Sequence, residues 1–241
     1  MRTQKLTTAQ KNNRRRIIEV SFLAKFSHLG SCLSAVDLIE GVYQVKKEQE
    51  KFILSNGHAA VAWYVILEKF GFITNPKFFQ KLSVHPTRNP KIGIHVSTGS
   101  LGHGLPIAVG MALARKTDNI YCMISDGECA EGSIWECLRI ISDQKIHNLK
   151  IIINANGWGA YDSIELKPLI NRLKAFGFEV ININGHDSNQ VITALKRKVS
   201  SQPIIIFAKT KVEHLPFLKG QDAHYYVMND QDYNQALEIL R

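Results

Sequence analysis

The chain has 241 residues, 45% apolar and 21% charged, which suits one domain, or one plus a small appendage, and excludes a disordered protein. Its formal charge of +9 comes without the aromatic and basic interleaving of a single-strand nucleic-acid platform, so nucleic acid is not an expected partner. No apolar run approaches the ~18 to 20 residues that span a membrane, no signal-peptide core is visible, and Cys32, Cys122, Cys129 and Cys137 form neither a C-x-x-C pair nor a zinc spacing, which fits a reduced, cytoplasmic setting.

Residues 8–27 read as a helix capped by Thr7 or Thr8, with Ile17, Ile18, Val20, Phe22 and Leu23 on its apolar side. The run Arg14-Arg15-Arg16 is then expected on a solvated face. A glycine turn at His28-Leu29-Gly30-Ser31 precedes a helix over 35–43 that Ser34 can cap. A short buried strand at 51–54 delivers Ser55-Asn56-Gly57-His58 to a sheet edge, and 59–70 is a strongly apolar helix. His58 thus falls at or just before a helix amino terminus, where imidazole and free N–H groups suit an anion; a histidine idle in a polar turn is the other reading. A short helix at 75–82 leads into a long loop carrying His85-Pro86 and ending at Ser97-Thr98-Gly99-Ser100-Leu101-Gly102-His103-Gly104. Its glycines permit close approach of backbone to a ligand, and a small-residue helix over 105–114 follows, a phosphate-cradling layout without the Walker A lysine.

The stretch 120–161 organises the rest. It reads as strand (120–124), turn (125–128), helix through Ser142, strand (149–153) and turn (154–157). A right-handed crossover places both strands in one parallel sheet with both turns at its carboxyl edge. Asp126 and Asn156 then meet, and a carboxylate, an amide oxygen and a nearby backbone carbonyl form a hard oxygen site of the kind Mg²⁺ accepts. Asp-Gly and Asn-Gly are also plain turn formers, but two at equivalent strand ends of one unit favour a ligand site. Beyond them come a helix at 167–176, a strand at 179–183, a helix at 188–199 capped by Asp187 or Ser188 with His186 incidental, an apolar and therefore central strand at 203–209, and a last helix at 231–240. The alternation gives one α/β domain over 1–241, a doubly wound, mostly parallel sheet with helices on both faces.

The ordered series Ser27-His28-Leu29-Gly30, Ser55-Asn56-Gly57-His58, His85-Pro86, 97–104, Asp126-Gly127-Glu128 with Glu131-Gly132-Ser133, Asn156-Gly157 and Gly185-His186-Asp187 resembles transketolase, more narrowly the amino-terminal, diphosphate-binding subunit of split transketolases. The resemblance implies thiamine diphosphate and Mg²⁺ as cofactors, with Asp126, the Asn156 side chain and the Trp158 carbonyl on the metal. It implies Gly127, His58 and the Gly99-Ser100-Leu101 turn against the cofactor, and His28, His85 and His224 along the substrate channel of a ketol transfer. Glu131 matches the family glutamate at the subunit interface that links paired active sites, and its position equally suits a first-turn helix carboxylate. The cofactor-activating glutamate of the family lies in a second domain, so the expected partner is a separately encoded carboxyl-terminal subunit in an α2β2 heterotetramer acting on a sugar or sugar phosphate. Three departures stand out: Ser125 replaces the first glycine of the usual G-D-G, Asn154-Ala155-Asn156 replaces a more acidic run, and Tyr225 stands where a glycine normally follows the family histidine. The alpha subunit of a 2-oxoacid dehydrogenase shares the metal motif but is disfavoured by Ser55-Asn56-Gly57-His58 and the sugar-type histidines. A regulatory subunit that keeps the fold without chemistry is disfavoured by retained Asp126, Asn156, His28 and His58.

Overall fold

A computed structural model describes residues 6–159, 161–198 and 201–241. Five strands, β1 (Lys51–Leu54), β2 (Ile120–Ser125), β3 (Leu149–Ala155), β4 (Glu179–Asn184) and β5 (Ile204–Lys209), form one sheet in the order β1-β2-β3-β5-β4. Every pairing is parallel. Around it lie α1 (Thr8–Ala24), α2 (Leu29–Val45), α3 (Ala60–Lys69), α4 (Gly104–Ala114), α5 (Gly132–Asp143), α6 (Leu166–Ala175), α7 (Ser188–Lys196) and α8 (Asp230–Ile239). Side chains alternate between two cores, as the two-residue period of a strand demands. Tyr121, Met123, Ile152 and Ile206 join the core beneath α1, α2, α3, α7 and α8, whereas Ile120, Cys122, Ile124, Ile151, Ile153 and Phe207 join the core beneath α4, α5 and α6. Both faces are covered, so β2 and β3 are buried throughout, which is why they read as unbroken apolar runs. Among the described residues no helix is long and apolar enough to cross a membrane.

The first two helices depart from expectation. Helix α1 begins as its sequence predicts, with a capping box between Thr7 and Gln10, but ends at Ala24 because Lys25 turns left-handed at φ 54°. Helix α2 already starts at Leu29, so Ser34 is not a cap and Gly30 is not a turn. The Ser34 hydroxyl donates to the Ser31 carbonyl and accepts from Asn154 Nδ2 at 2.9 Å, tying α2 to β3. Gly30 serves close packing instead: a Cβ there would lie 2.8 Å from that of Ala223.

The arginine run is also corrected. Arg14 is fully buried and donates to both oxygens of Asp37 on α2, while Arg15 and Arg16 are partly exposed. The long stem of Arg14 crosses from α1 to find the carboxylate, a pairing over 23 positions that charge patterning does not reveal. His186 is not incidental, because its Nδ1 lies 2.8 Å from Asp37 Oδ2. Asp187 does cap α7, accepting from the Asn189 and Gln190 amides. The helix stops at Lys196; residue 199, in its expected span, lies outside the described residues.

Candidate active site

The carboxyl ends of β1, β2 and β3 lie side by side, with Leu54 opposite Met123 and Ser125 opposite Asn154. Their turns therefore share one edge, the place where open α/β sheets bind ligands. The turns after β2 and β3 touch directly, since Asp126 Oδ2 accepts from the Gly157 amide at 2.6 Å. Asp126 Oδ1 takes the Gly127 amide at 3.1 Å, and Asn156 Oδ1 takes the Trp158 amide at 2.9 Å. The Asp126 side chain is buried. Burial pushes its carboxyl up to about 7, against the lowering effect of the Gly157 and Gly127 amides. A buried carboxylate held by N–H groups alone, without a cationic side chain, is one that a divalent cation would compensate.

Above this floor sits a cleft of about 150 Å³ that gathers His28, His58, His85 and His224 with Gly99, Leu101, Gly127 and Trp158. Ring centroids lie 5.3 Å apart for His28 and His58, 6.3 Å for His28 and His85, and 6.1 Å for His58 and His224. Each imidazole comes from a different segment. His28 precedes α2 in a left-handed conformation (φ 63°), and its amide donates to the His224 carbonyl at 2.7 Å. His58 is the middle residue of the short 3₁₀ turn Gly57–Ala59 before α3. His85 packs over Gly99, where a Cβ would lie 2.9 Å from its ring and φ is 151°. Burial, then the neighbouring imidazoles His224 and His85, lowers His28 to about 4. Burial, then His28, His224 and His85, lowers His58 to about 3, and burial lowers His224 too. These three rings are therefore neutral at pH 7, each offering one donor and one acceptor.

Four sequence-expected residues are not among those that line the cleft: Asp126 and Asn156 lie in the turns already described, and Ser100 and Glu131 stand apart. Ser100 is exposed on the turn, and Glu131 is exposed at the amino terminus of α5, where its side chain makes no cap. Gly102 packs on Glu131, with a would-be Cβ 2.8 Å from that of the glutamate.

Three further contributors are not marked as site residues by the sequence. Glu128 is fully buried and gathers three donors: the Ser55 hydroxyl at 2.7 Å, the Gly102 amide at 3.0 Å and the Ser125 amide at 3.0 Å. The Ser55 hydroxyl in turn accepts from the Gly104 amide, so one carboxylate ties β1, β2 and the glycine loop together. Ser125, the departure from G-D-G, returns a bond by accepting the Glu128 amide on its Oγ at 3.1 Å. Tyr225 lines the cleft beside His224. A glutamate set directly in the turn after a buried strand was the available signal for Glu128, but two of its three partners lie 26 and 73 positions away.

Two residues of the cleft lining, His28 and His224, each have a buried Nδ1 without a hydrogen bond. Proteins rarely leave such groups bare, and two of them on residues that line one cleft fit a polar ligand.

Comparison with known proteins agrees with this geometry. Residues 23–239 match the family described as transketolase, thiamine diphosphate binding domain. An apulose-4-phosphate transketolase subunit from Phocaeicola vulgatus is 31% identical, in a match covering 98% of this chain and 94% of that protein. Human transketolase is 33% identical over 82% of this chain but only 36% of its own length. The solved transketolase of Campylobacter jejuni superposes with a TM-score of 0.81 at 26% identity, covering 97% of this chain and 42% of that one. The chain belongs to the transketolase family and carries its thiamine diphosphate-binding domain.

Proposed function

We propose that this chain is the cofactor-anchoring, amino-terminal subunit of a two-chain transketolase that moves a two-carbon ketol unit from a ketose or ketose phosphate to an aldose. The observation that carries this reading is the convergence of four histidines over the turns that hold Asp126 and Gly127. The subunit-type relative from Phocaeicola vulgatus, which matches this chain along nearly its whole length, supports the division into two chains.

Thiamine diphosphate, when bound, supplies the carbanion chemistry, and the protein supplies position and protons. Asp126, the Asn156 side chain and the Trp158 carbonyl are the groups that would hold Mg²⁺ and through it the diphosphate. The backbone of Gly127 and the Gly99-Ser100-Leu101 turn leave room for close approach, and His58 faces the same space. His28, His85 and His224 bind sugar hydroxyls, and those kept neutral by burial accept a hydroxyl proton at one ring nitrogen while donating from the other. Exposed Glu131 suits contact with another chain. The assembly is an α2β2 heterotetramer with a separate carboxyl-terminal subunit, and four buried free cysteines fit the cytoplasm.

The test is ketol transfer with thiamine diphosphate and Mg²⁺ by the chain alone and by the chain with its partner. Activity of the pair and silence of the chain alone are expected. Full transfer by the chain alone overturns the divided enzyme, and turnover of pyruvate in place of ketose phosphates points to 2-oxoacid chemistry.

A further inference from the structure

The wall of the cleft at Tyr225 is held from three sides. A short 3₁₀ turn, Gly220–His224, ends at this tyrosine. The His224 carbonyl accepts the His28 amide at 2.7 Å, Ala223 is buried against Gly30, and Gly220 lies against the Trp158 indole, where a Cβ would sit 3.0 Å from the ring. The Tyr225 amide donates to the Asp222 carbonyl at 3.0 Å. With its backbone fixed, the Tyr225 ring stands 6.0 Å from His28 and 6.4 Å from His224, half exposed at 54% and lining the cleft.

A tyrosine is a large, rigid wall with two side-chain torsions, apolar across its face and polar at its tip. The cleft it bounds runs from this tyrosine down to Gly127 and Gly159 at the turns after β2 and β3. The reacting end of a sugar must share that space with bound cofactor. Resting on the ketol-transfer reading above, we infer that Tyr225 limits the length of sugar the site accepts, favouring the shorter of two acceptors. At 6.0 Å the Tyr225 and His28 rings are in contact, so no carbon chain passes between them and a longer aldose meets this wall before a shorter one does.

The test uses the complex reconstituted with its partner chain and compares kcat/KM for glyceraldehyde and ribose 5-phosphate as acceptors. The wild-type complex is expected to favour glyceraldehyde. Tyr225→Gly shifts the ratio towards the longer aldose by about tenfold or more, through a lower KM for that acceptor, because filling or freeing a few carbon positions is worth this much. Tyr225→Phe keeps the wild-type ratio, and Tyr225→Trp moves it the other way, which carries the test should the glycine variant lose its fold. An unchanged ratio in both the glycine and tryptophan variants, or a phenylalanine variant that behaves like glycine, overturns the inference while ketol transfer stands. A wild-type complex without ketol transfer overturns the functional reading itself.

Discussion

On the proposed metal assignment, a proton and Mg²⁺ would compete for the one buried carboxylate of Asp126. With its pKa pushed up to about 7 by burial, the group is mostly protonated at pH 6 and ionised at pH 8. Metal-dependent cofactor binding is therefore expected to weaken as pH falls below about 7, which calorimetric titration of the reconstituted pair at the two pH values will show. Asp126→Asn should remove the metal-dependent part of binding at both pH values while the far-ultraviolet circular dichroism stays native; unchanged affinity would sink the metal assignment. The histidines act on stability instead. His58, at about 3, and His28, at about 4, sit below the ~6.5 of an unfolded chain. The unfolded state thus takes up protons first, so their contribution to stability is present above pH ~6.5 and drains as pH falls. His58→Gln should flatten the fall of Tm between pH 7 and 5, and an identical slope would show that His58 is not one of the groups responsible.

Among the elements, the glycine loop before α4 depends on Glu128. Glu128→Ala leaves the Ser55 hydroxyl and the Gly102 and Ser125 amides without that acceptor, each costing about 1–3 kcal/mol when buried. A loss of about 3 kcal/mol or more in urea unfolding is expected, with faster hydrogen exchange at residues 99–104; protection equal to wild type would mean that the loop is held by other means. Much of this architecture is legible in the sequence. The strands β2 and β3 announce themselves as apolar runs, and Asp126-Gly127 and Asn156-Gly157 as turns at their ends, because these signals are local. The start of helix α2 is not legible, because Gly30 and Ser34 look like punctuation, yet their roles are set by Ala223 and Asn154, far along the chain. Glu128 and Tyr225 escape for the same reason: a partner brought in by topology leaves no mark at short spacing.

For the molecule as a whole, the cluster of Arg14, Asp37 and His186 joins α1, α2 and the turn before α7 in one buried network. Burial pushes Asp37 up, but the His186 hydrogen bond and the Arg14 charge outweigh it and hold the carboxyl at about 2. Below the ~3.9 of an unfolded aspartate, this contribution is complete above pH ~4 and is lost as pH falls towards 2. Asp37→Ala strands the Arg14 charge and should cost about 3–5 kcal/mol in denaturant unfolding; a change under about 1 kcal/mol would mean that Arg14 reaches water or another acceptor. The sheet order carries a last consequence for how this protein is made. Because β5 lies between β3 and β4, β4 leaves the ribosome before the strand it pairs with exists. A nascent chain stopped short of Ile204 holds β1, β2 and β3 with an open flank, and the His224 carbonyl that receives the His28 amide comes later still. Growth from the amino terminus therefore completes the Asp126 and Asn156 turns first and the histidine wall last, so the cleft closes only once nearly all of the chain has been synthesised.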